Sequence, residues 1–184
     1  DFLKNKEVLK IINKFNKCKE VNIIKRQKNY GLYNNIVKGL NFLFKKSNSL
    51  IVLEDDLILD KFFLNFMNNS LNKLKIYKSV GSICGYTPSN ISKSKKKDNF
   101  FSSFVECWGW ATWKDRWKYY DKNNQSLFNK IYKKKDEFNL SKNEYFGSLL
   151  KNNHIRKNPS WAINWYASLF LKDKLNFYPS RSLV

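Results

Sequence analysis

Cysteine is scarce: Cys18, Cys84 and Cys107 are far apart and odd in number, which excludes a disulfide framework and a CxxC metal knuckle and points to a reducing compartment. Histidine occurs once, as His154 in the polar stretch 151–158; it reads as a solvent-exposed loop residue and takes no role. No run approaches the ~20 apolar residues of a membrane span, and no basic-then-apolar signal segment opens the sequence. A soluble or peripheral protein is expected, in the cytoplasm or at the inner face of the cytoplasmic membrane. Internal repeats are lacking, and the one uninterruptedly polar stretch is Thr87 to Asn99, with Pro88 and the run Lys93-Ser94-Lys95-Lys96-Lys97, which reads as a loop. Acidic residues are outnumbered, 15 against 35 basic ones, for a net charge of +20. The excess is almost all Lys, is spread from Lys4 to Lys174 and travels with a general surplus of Asn and Ile. That is the pattern of compositional bias, so no specific nucleic-acid partner is expected; attraction to phosphate or an anionic membrane surface is a secondary, salt-screened effect.

What is present is a core. Apolar residues make up 42% and aromatics 17% of 184 residues, enough for one domain over 1–184. Val8, Leu9, Ile11, Ile12 and Phe15 recur at helical spacing, and Val21 to Ile24 reads as a short strand. After the turn Asn29-Tyr30-Gly31-Leu32, residues Ile36, Val37, Leu40, Leu43 and Phe44 mark a second helix, and Leu50 to Leu53 reads as a fully buried strand. Phe62, Phe63, Phe66, Met67, Leu71 and Leu74 form a third helical stripe before a strand at Val80 to Cys84. Further on, the pattern predicts a strand within Phe100 to Val105, helices around Ser126 to Asp136 and Lys142 to Asn152, and a last helix over Ser160 to Leu171 with Ser160 as N-cap. Such alternation predicts an α/β fold with an open, mostly parallel sheet flanked by helices. Both ends read as cut: the chain begins in a helix where a first strand is expected, and Leu175 to Val184 stop without a closing element. A fragment lacking its first strand is the expectation.

Ile51-Val52-Leu53-Glu54-Asp55-Asp56 places three carboxylates where a strand reaches the carboxyl edge of such a sheet, the edge at which open α/β sheets bind ligands. Strand alternation puts Glu54 and Asp56 on one side and Asp55 on the other. Converging carboxylates repel unless a proton or cation intervenes, and a hard divalent ion such as Mn²⁺ or Mg²⁺, shared with substrate phosphates, neutralises them. The plain alternative is that the acids end a strand and cap a helix near Asp60. Two other enzyme classes with acids at strand ends fit less well. Asp56-Leu57-Ile58-Leu59 lacks the Thr of a DxDxT phosphatase, and Val80 to Cys84 runs into Gly85-Tyr86 rather than the phosphoacceptor Asp of a receiver domain.

Glu106-Cys107-Trp108-Gly109-Trp110-Ala111-Thr112-Trp113 is the second unusual feature. Sugar rings have apolar faces that stack on indole, and a glycine lets the backbone approach a bulky ligand. Core filling is the alternative for any one of these tryptophans.

Asn29-Tyr30-Gly31-Leu32, then Val52-Leu53-Glu54-Asp55-Asp56 with Phe62-Phe63-Leu64 behind it, then Trp108-Gly109-Trp110-Ala111-Thr112-Trp113 resemble the ordered motifs of bacterial sugar transferases similar to the N-acetylglucosaminyltransferase I family of GT-A enzymes. The resemblance covers about Val21 to Val184. It implies a GT-A-like domain, with a nucleotide-sugar and metal part over about 1–86 and an acceptor-side part over about 100–184. The implied activity is metal-dependent, inverting transfer from a nucleotide-sugar donor, first of all a UDP-sugar, to a glycan or lipid-linked acceptor. It implies Asp56, with Glu54, as metal ligands; Glu54, Asp55, Asn29 and Gly31 on the donor; and Trp108, Gly109, Trp110, Asn164 and Trp165 near the acceptor. By analogy, the loop with Lys93 to Lys97 would cover the bound donor.

Inverting transfer needs a general base for the acceptor hydroxyl. The family places an acid in a Trp-flanked helix, and the corresponding stretch here, Trp161-Ala162-Ile163-Asn164-Trp165, has an amide instead. Asp115 is the first candidate for the base and Glu106 the second. The competing readings are a non-catalytic sugar-binding or scaffold remnant and a basic nucleic-acid-binding module.

Overall fold

The computed structural model describes residues 2–14, 18–88, 98–140, 145–153, 155 and 159–184. The chain, read from sequence as one domain over 1–184, divides into two compact units, Asp1–Tyr30 and Gly31–Val184. In the first, α1 spans Phe2–Lys14, as the spacing of Val8, Leu9, Ile11 and Ile12 predicts; Phe15 lies outside the described residues. The strand expected at Val21 to Ile24 does not form. Val21, Ile23 and Ile24 are exposed and join no sheet among the described residues, since a short apolar run has only a propensity until a partner pairs with it.

The second unit contains α2 (Gly31–Leu43), β1 (Ser49–Val52), α3 (Phe63–Leu74), β2 (Val80–Cys84), β3 (Phe100–Ser102), β4 (Trp110–Trp113) and a one-turn α4 (Lys114–Trp117). It continues with α5 (Asn124–Ile131), a 3₁₀ turn (Tyr132–Lys134), α6 (Lys135–Phe138), α7 (Tyr145–Asn152), α8 (Trp161–Phe170) and β5 (Leu175–Tyr178). Helix starts are fixed by the expected chemistry. Ser160 Oγ accepts from the Ile163 N–H at 3.4 Å and Asn123 Oδ1 from the Ser126 N–H at 3.0 Å, each satisfying a first-turn donor.

The sheet is open and has the order β1-β4-β2-β5-β3. It is mixed, not mostly parallel. Only β2 and β5 pair in parallel; β4 runs against both β1 and β2, and β3 against β5. The helix α3 carries the chain back from β1 to β2, so those two strands run the same way, whereas β3 and β4 both enter the sheet at the rim where β2 leaves it and so run against it. β1, expected to be fully buried, has β4 as its one partner, so all four of its residues are half-buried. The two halves suggested by the sequence share this sheet: β1 and β2 come from the first, β3, β4 and β5 from the second.

Side-chain alternation splits the core into two layers. Cys84, Trp110 and Tyr178 face a large layer that includes Leu40, Leu127, Leu150 and most of α8. Ile83, Ala111, Trp113 and Phe177 face a smaller one with Phe63, Met67, Leu71 and Leu183. In the large layer, Trp110 stands 5.4 Å from Trp161 and 5.9 Å from Trp165, and Trp165 stands 5.0 Å from Trp117, ring centre to ring centre. Such pairs add roughly 0.5–1.5 kcal/mol each beyond area burial. Among the described residues no helix is long and apolar enough to cross a membrane.

Candidate functional site

The strand register gathers the sequence's unusual residues at one rim. Val52, the last residue of β1, and Cys84, the last of β2, both stand opposite Trp110, the first of β4. Phe177 stands beside Ile83, and Tyr178 beside Phe100. The carboxyl ends of β1, β2 and β5 therefore share a rim with the amino ends of β4 and β3. Glu54-Asp55-Asp56 leave this rim on one side, and Glu106-Cys107-Trp108-Gly109 arrive beside them.

The acids lie beyond β1, with Asp55 and Asp56 in a turn, so strand alternation does not govern them. Their mutual proximity is nevertheless retained. Burial, then the charge of Asp56, then that of Asp55 raise the Glu54 carboxyl above its ordinary range. Asp55 and Asp56 are exposed, and none of the three forms an ion pair with a lysine or arginine among the described residues. Asp60 is the residue that organises the turn into α3: its Oδ1 accepts from the Phe62 N–H at 2.8 Å, and Arg181 pairs with it at 3.6 Å.

Glu106 sits over the end of β2. Its own N–H donates to the Cys84 sulfur, and its carboxylate accepts from the Cys107 N–H. Burial pushes this carboxyl up to about 7, opposed only in part by the Cys107 N–H. Burial raises the Cys107 thiol well above its ordinary range, with smaller contributions from Cys84, Glu106 and Glu54 in that order. Cys84 is likewise raised, to about 12, by burial. These buried, protonated thiols are packing residues rather than nucleophiles.

Trp108 is 51% exposed and meets Tyr86 edge-on at 4.8 Å, leaving indole surface at the rim. Gly109, next to it, has φ +62°, and a Cβ there would lie 2.7 Å from Val184 Cγ2 and 2.9 Å from Phe63 Cε2. Its carbonyl accepts from the Gly85 N–H at 2.7 Å. The glycine serves a close backbone crossing inside the protein, not the approach of a ligand as its sequence context suggests. Residues 182–184 complete the rim: Leu183 donates to the Gly85 carbonyl and accepts from the Asp60 N–H, both at 2.9 Å.

Several residues expected at the site are elsewhere. Trp110 and Trp165 are fully buried in the aromatic layer and unable to touch an acceptor. Asn164 is buried too: it accepts from Asn153 Nδ2 at 2.9 Å and donates to the Asp121 carbonyl at 3.2 Å, a structural bracket between α7 and α8. Asp115 follows β4 and so lies at the opposite rim from the acidic run. It is held at 2.7 Å by both Lys78 and Arg116, which keep its carboxyl below the ordinary range despite an opposing contribution from burial. Asp115 is thereby set aside as the base: its role is to pair Arg116, whose guanidinium also donates to the carbonyls of Val80, Lys75 and Tyr77. Gly31 opens α2 with φ +70°, a turn requirement, while Asn29 belongs to the other compact unit. His154 and Lys93 to Lys97 lie outside the described residues.

Comparison with protein-family models and with curated proteins finds no match. The chemistry of the rim is therefore read from its own groups. Among the described residues no group of three or more His, Cys, Asp or Glu is arranged to enclose a metal ion. Glu54 and Asp56, which form no ion pair among the described residues, could offer at most one or two carboxylate oxygens to a hard divalent ion, whose remaining ligands would have to come from outside the protein. Glu106 was the second candidate in sequence, and what favours it, burial against Cys84 and Cys107, comes from tertiary packing.

Proposed function

We propose that the chain is a metal-dependent glycosyltransferase of GT-A-like type, acting on a nucleotide-sugar, first of all a UDP-sugar, and a glycan or lipid-linked acceptor. The observation that carries this reading is the meeting, on one sheet rim, of the Glu54-Asp55-Asp56 run, unpaired among the described residues, with the half-buried Glu106 and the exposed Trp108. Asp56 and Glu54 would hold Mn²⁺ or Mg²⁺, whose positive charge stabilises the diphosphate as it departs. Trp108 presents an apolar face for a sugar ring. Glu106 is the base: as the acceptor hydroxyl oxygen bonds to the anomeric carbon, its proton passes to the Glu106 carboxylate, and the diphosphate leaves with the electrons of the broken C–O bond. Attack opposite the leaving group inverts the anomeric centre. A carboxyl raised to about 7 is substantially ionised at neutral pH and a stronger base than an ordinary one.

The experiment is calorimetry of UDP binding in the presence of Mn²⁺. Asp56→Ala is expected to weaken binding by about tenfold or more with an unchanged thermal melt, since the residue is exposed; undiminished binding would overturn the reading. One observation, the amide Asn164 where the resemblance calls for an acid, favours the alternative of a sugar-binding remnant without catalysis. That alternative predicts intact UDP binding with no donor hydrolysis.

A further inference from the structure

One cavity lies away from the acidic rim. It measures about 610 Å³ and opens between the second half of α2 and residues 114–122, where β4 has passed into α4. The four residues of β4, about 13 Å of strand, separate it from the rim that carries Glu54.

Its lining is unusual for this chain. A basic fraction of 35 in 184 gives about two basic residues in ten, yet four of the ten lining residues are lysines: Lys45, Lys114, Lys118 and Lys122. All four are exposed, and none forms an ion pair among the described residues. The one carboxylate in the lining, Asp121, has its Oδ1 accepting from the Asn123 N–H at 2.8 Å and leaves the lining net positive, four lysines against one acid. Ammonium groups that share a cavity repel one another, and an anion among them relieves this.

The remaining wall is aromatic and held in place. Tyr120 stacks on Trp117 at 4.5 Å with 19° between the planes. Trp117 Nε1 donates to Asn41 Oδ1 at 2.8 Å, fixing the indole against α2. Trp117 itself is nearly buried and Tyr120 half-buried, so Tyr120 supplies the aromatic surface that the cavity reaches. Aromatic surface beside several cationic side chains in one cavity suits a ligand with a partly apolar ring and a negative substituent.

We propose that this cavity binds a phosphate-bearing sugar, with the phosphate among Lys45, Lys114, Lys118 and Lys122 and the sugar ring against Tyr120. Inorganic phosphate would engage only the lysines, and a neutral sugar only the aromatic face. Neither alone satisfies both walls. The assignment is independent of the acidic rim and of the transferase reading.

The test titrates the 184-residue chain with glucose 1-phosphate at physiological salt by calorimetry, with glucose and inorganic phosphate as parallel probes. Glucose 1-phosphate is expected to bind about tenfold or more tightly than either parallel probe. The Lys118→Ala/Lys122→Ala double variant should lose about tenfold in that affinity, whereas Lys130→Ala/Lys133→Ala, outside the cavity, should lose less than about twofold. Vesicles containing phosphatidylinositol identify the source. Retention by the parent chain but not by the cavity variant marks a lipid-borne headgroup, and no retention alongside glucose 1-phosphate binding marks a soluble ligand. Absent binding, equal binding of inorganic phosphate, or equal losses in the two double variants would overturn the proposal.

Discussion

Glu106 shows how one side chain can owe its chemistry to its surroundings. In an unfolded chain its carboxyl titrates near 4.3; burial against the ends of β2 and β4 moves it to about 7. Because the folded value is the higher one, the native state holds the extra proton between those limits. This group's contribution to stability is thus fully present below the ordinary carboxylate range and is lost as pH rises through about 7. Glu106→Gln imitates the protonated form. Its melting temperature is expected to match the parent's near pH 5 and to exceed it by about a few degrees at pH 8, read by circular dichroism at both pH values; a constant difference across that range would contradict burial as the cause. Turnover of a nucleotide-sugar should fall about a hundredfold or more with UDP affinity retained. Sequence alone ranked Asp115 above Glu106, because both are acids near the WGW motif. What separates them is that β4 carries the chain from one rim to the other between the two positions.

At the scale of elements, β2 and its surroundings explain why two glycines stand where they do. A Cβ on Gly85 would lie 2.5 Å from the Gly109 carbonyl oxygen and 2.6 Å from Phe63 Cε2, an obstruction made partly of backbone. Gly85→Ala is expected to cost about 3 kcal/mol, measured by urea denaturation, and to disturb both the turn into α3 and the WGW segment, since Leu183 ties Gly85 to Asp60 and the Gly85 N–H donates to the Gly109 carbonyl. The helices α2 and α3 were legible because one face of each is apolar at the right period, and α8 because a long apolar run follows the N-cap Ser160. β4 was not. Trp110-Ala111-Thr112-Trp113 is buried on both faces, so no alternation marks it, and its tryptophans suggested a ligand surface when they fill the two core layers. β5 was missed for a related reason: Leu175 to Tyr178 is short, and its place between β2 and β3 depends on partners distant in sequence. The acidic run was legible from its composition, whereas the opposing carboxylate at Glu106 required the register of β2 against β4.

For the whole molecule, the surplus of 20 positive charges comes from lysines dispersed along the sequence. Contact with polyanions should therefore be non-specific. Association with duplex DNA, followed by fluorescence anisotropy, is expected to fall by about a thousandfold or more between 50 and 200 mM salt; tight, salt-insensitive binding would instead reveal a dedicated interface. The tryptophans divide more sharply than the charges. Trp110, Trp113, Trp117, Trp161 and Trp165 are enclosed, and Trp108 alone stands in solvent at the rim. A small neutral quencher such as acrylamide should consequently extinguish only that indole's emission at low concentration, and a molecule settling over the rim would shield it. The protein thus carries an intrinsic optical reporter whose signal can follow occupancy without any label being attached.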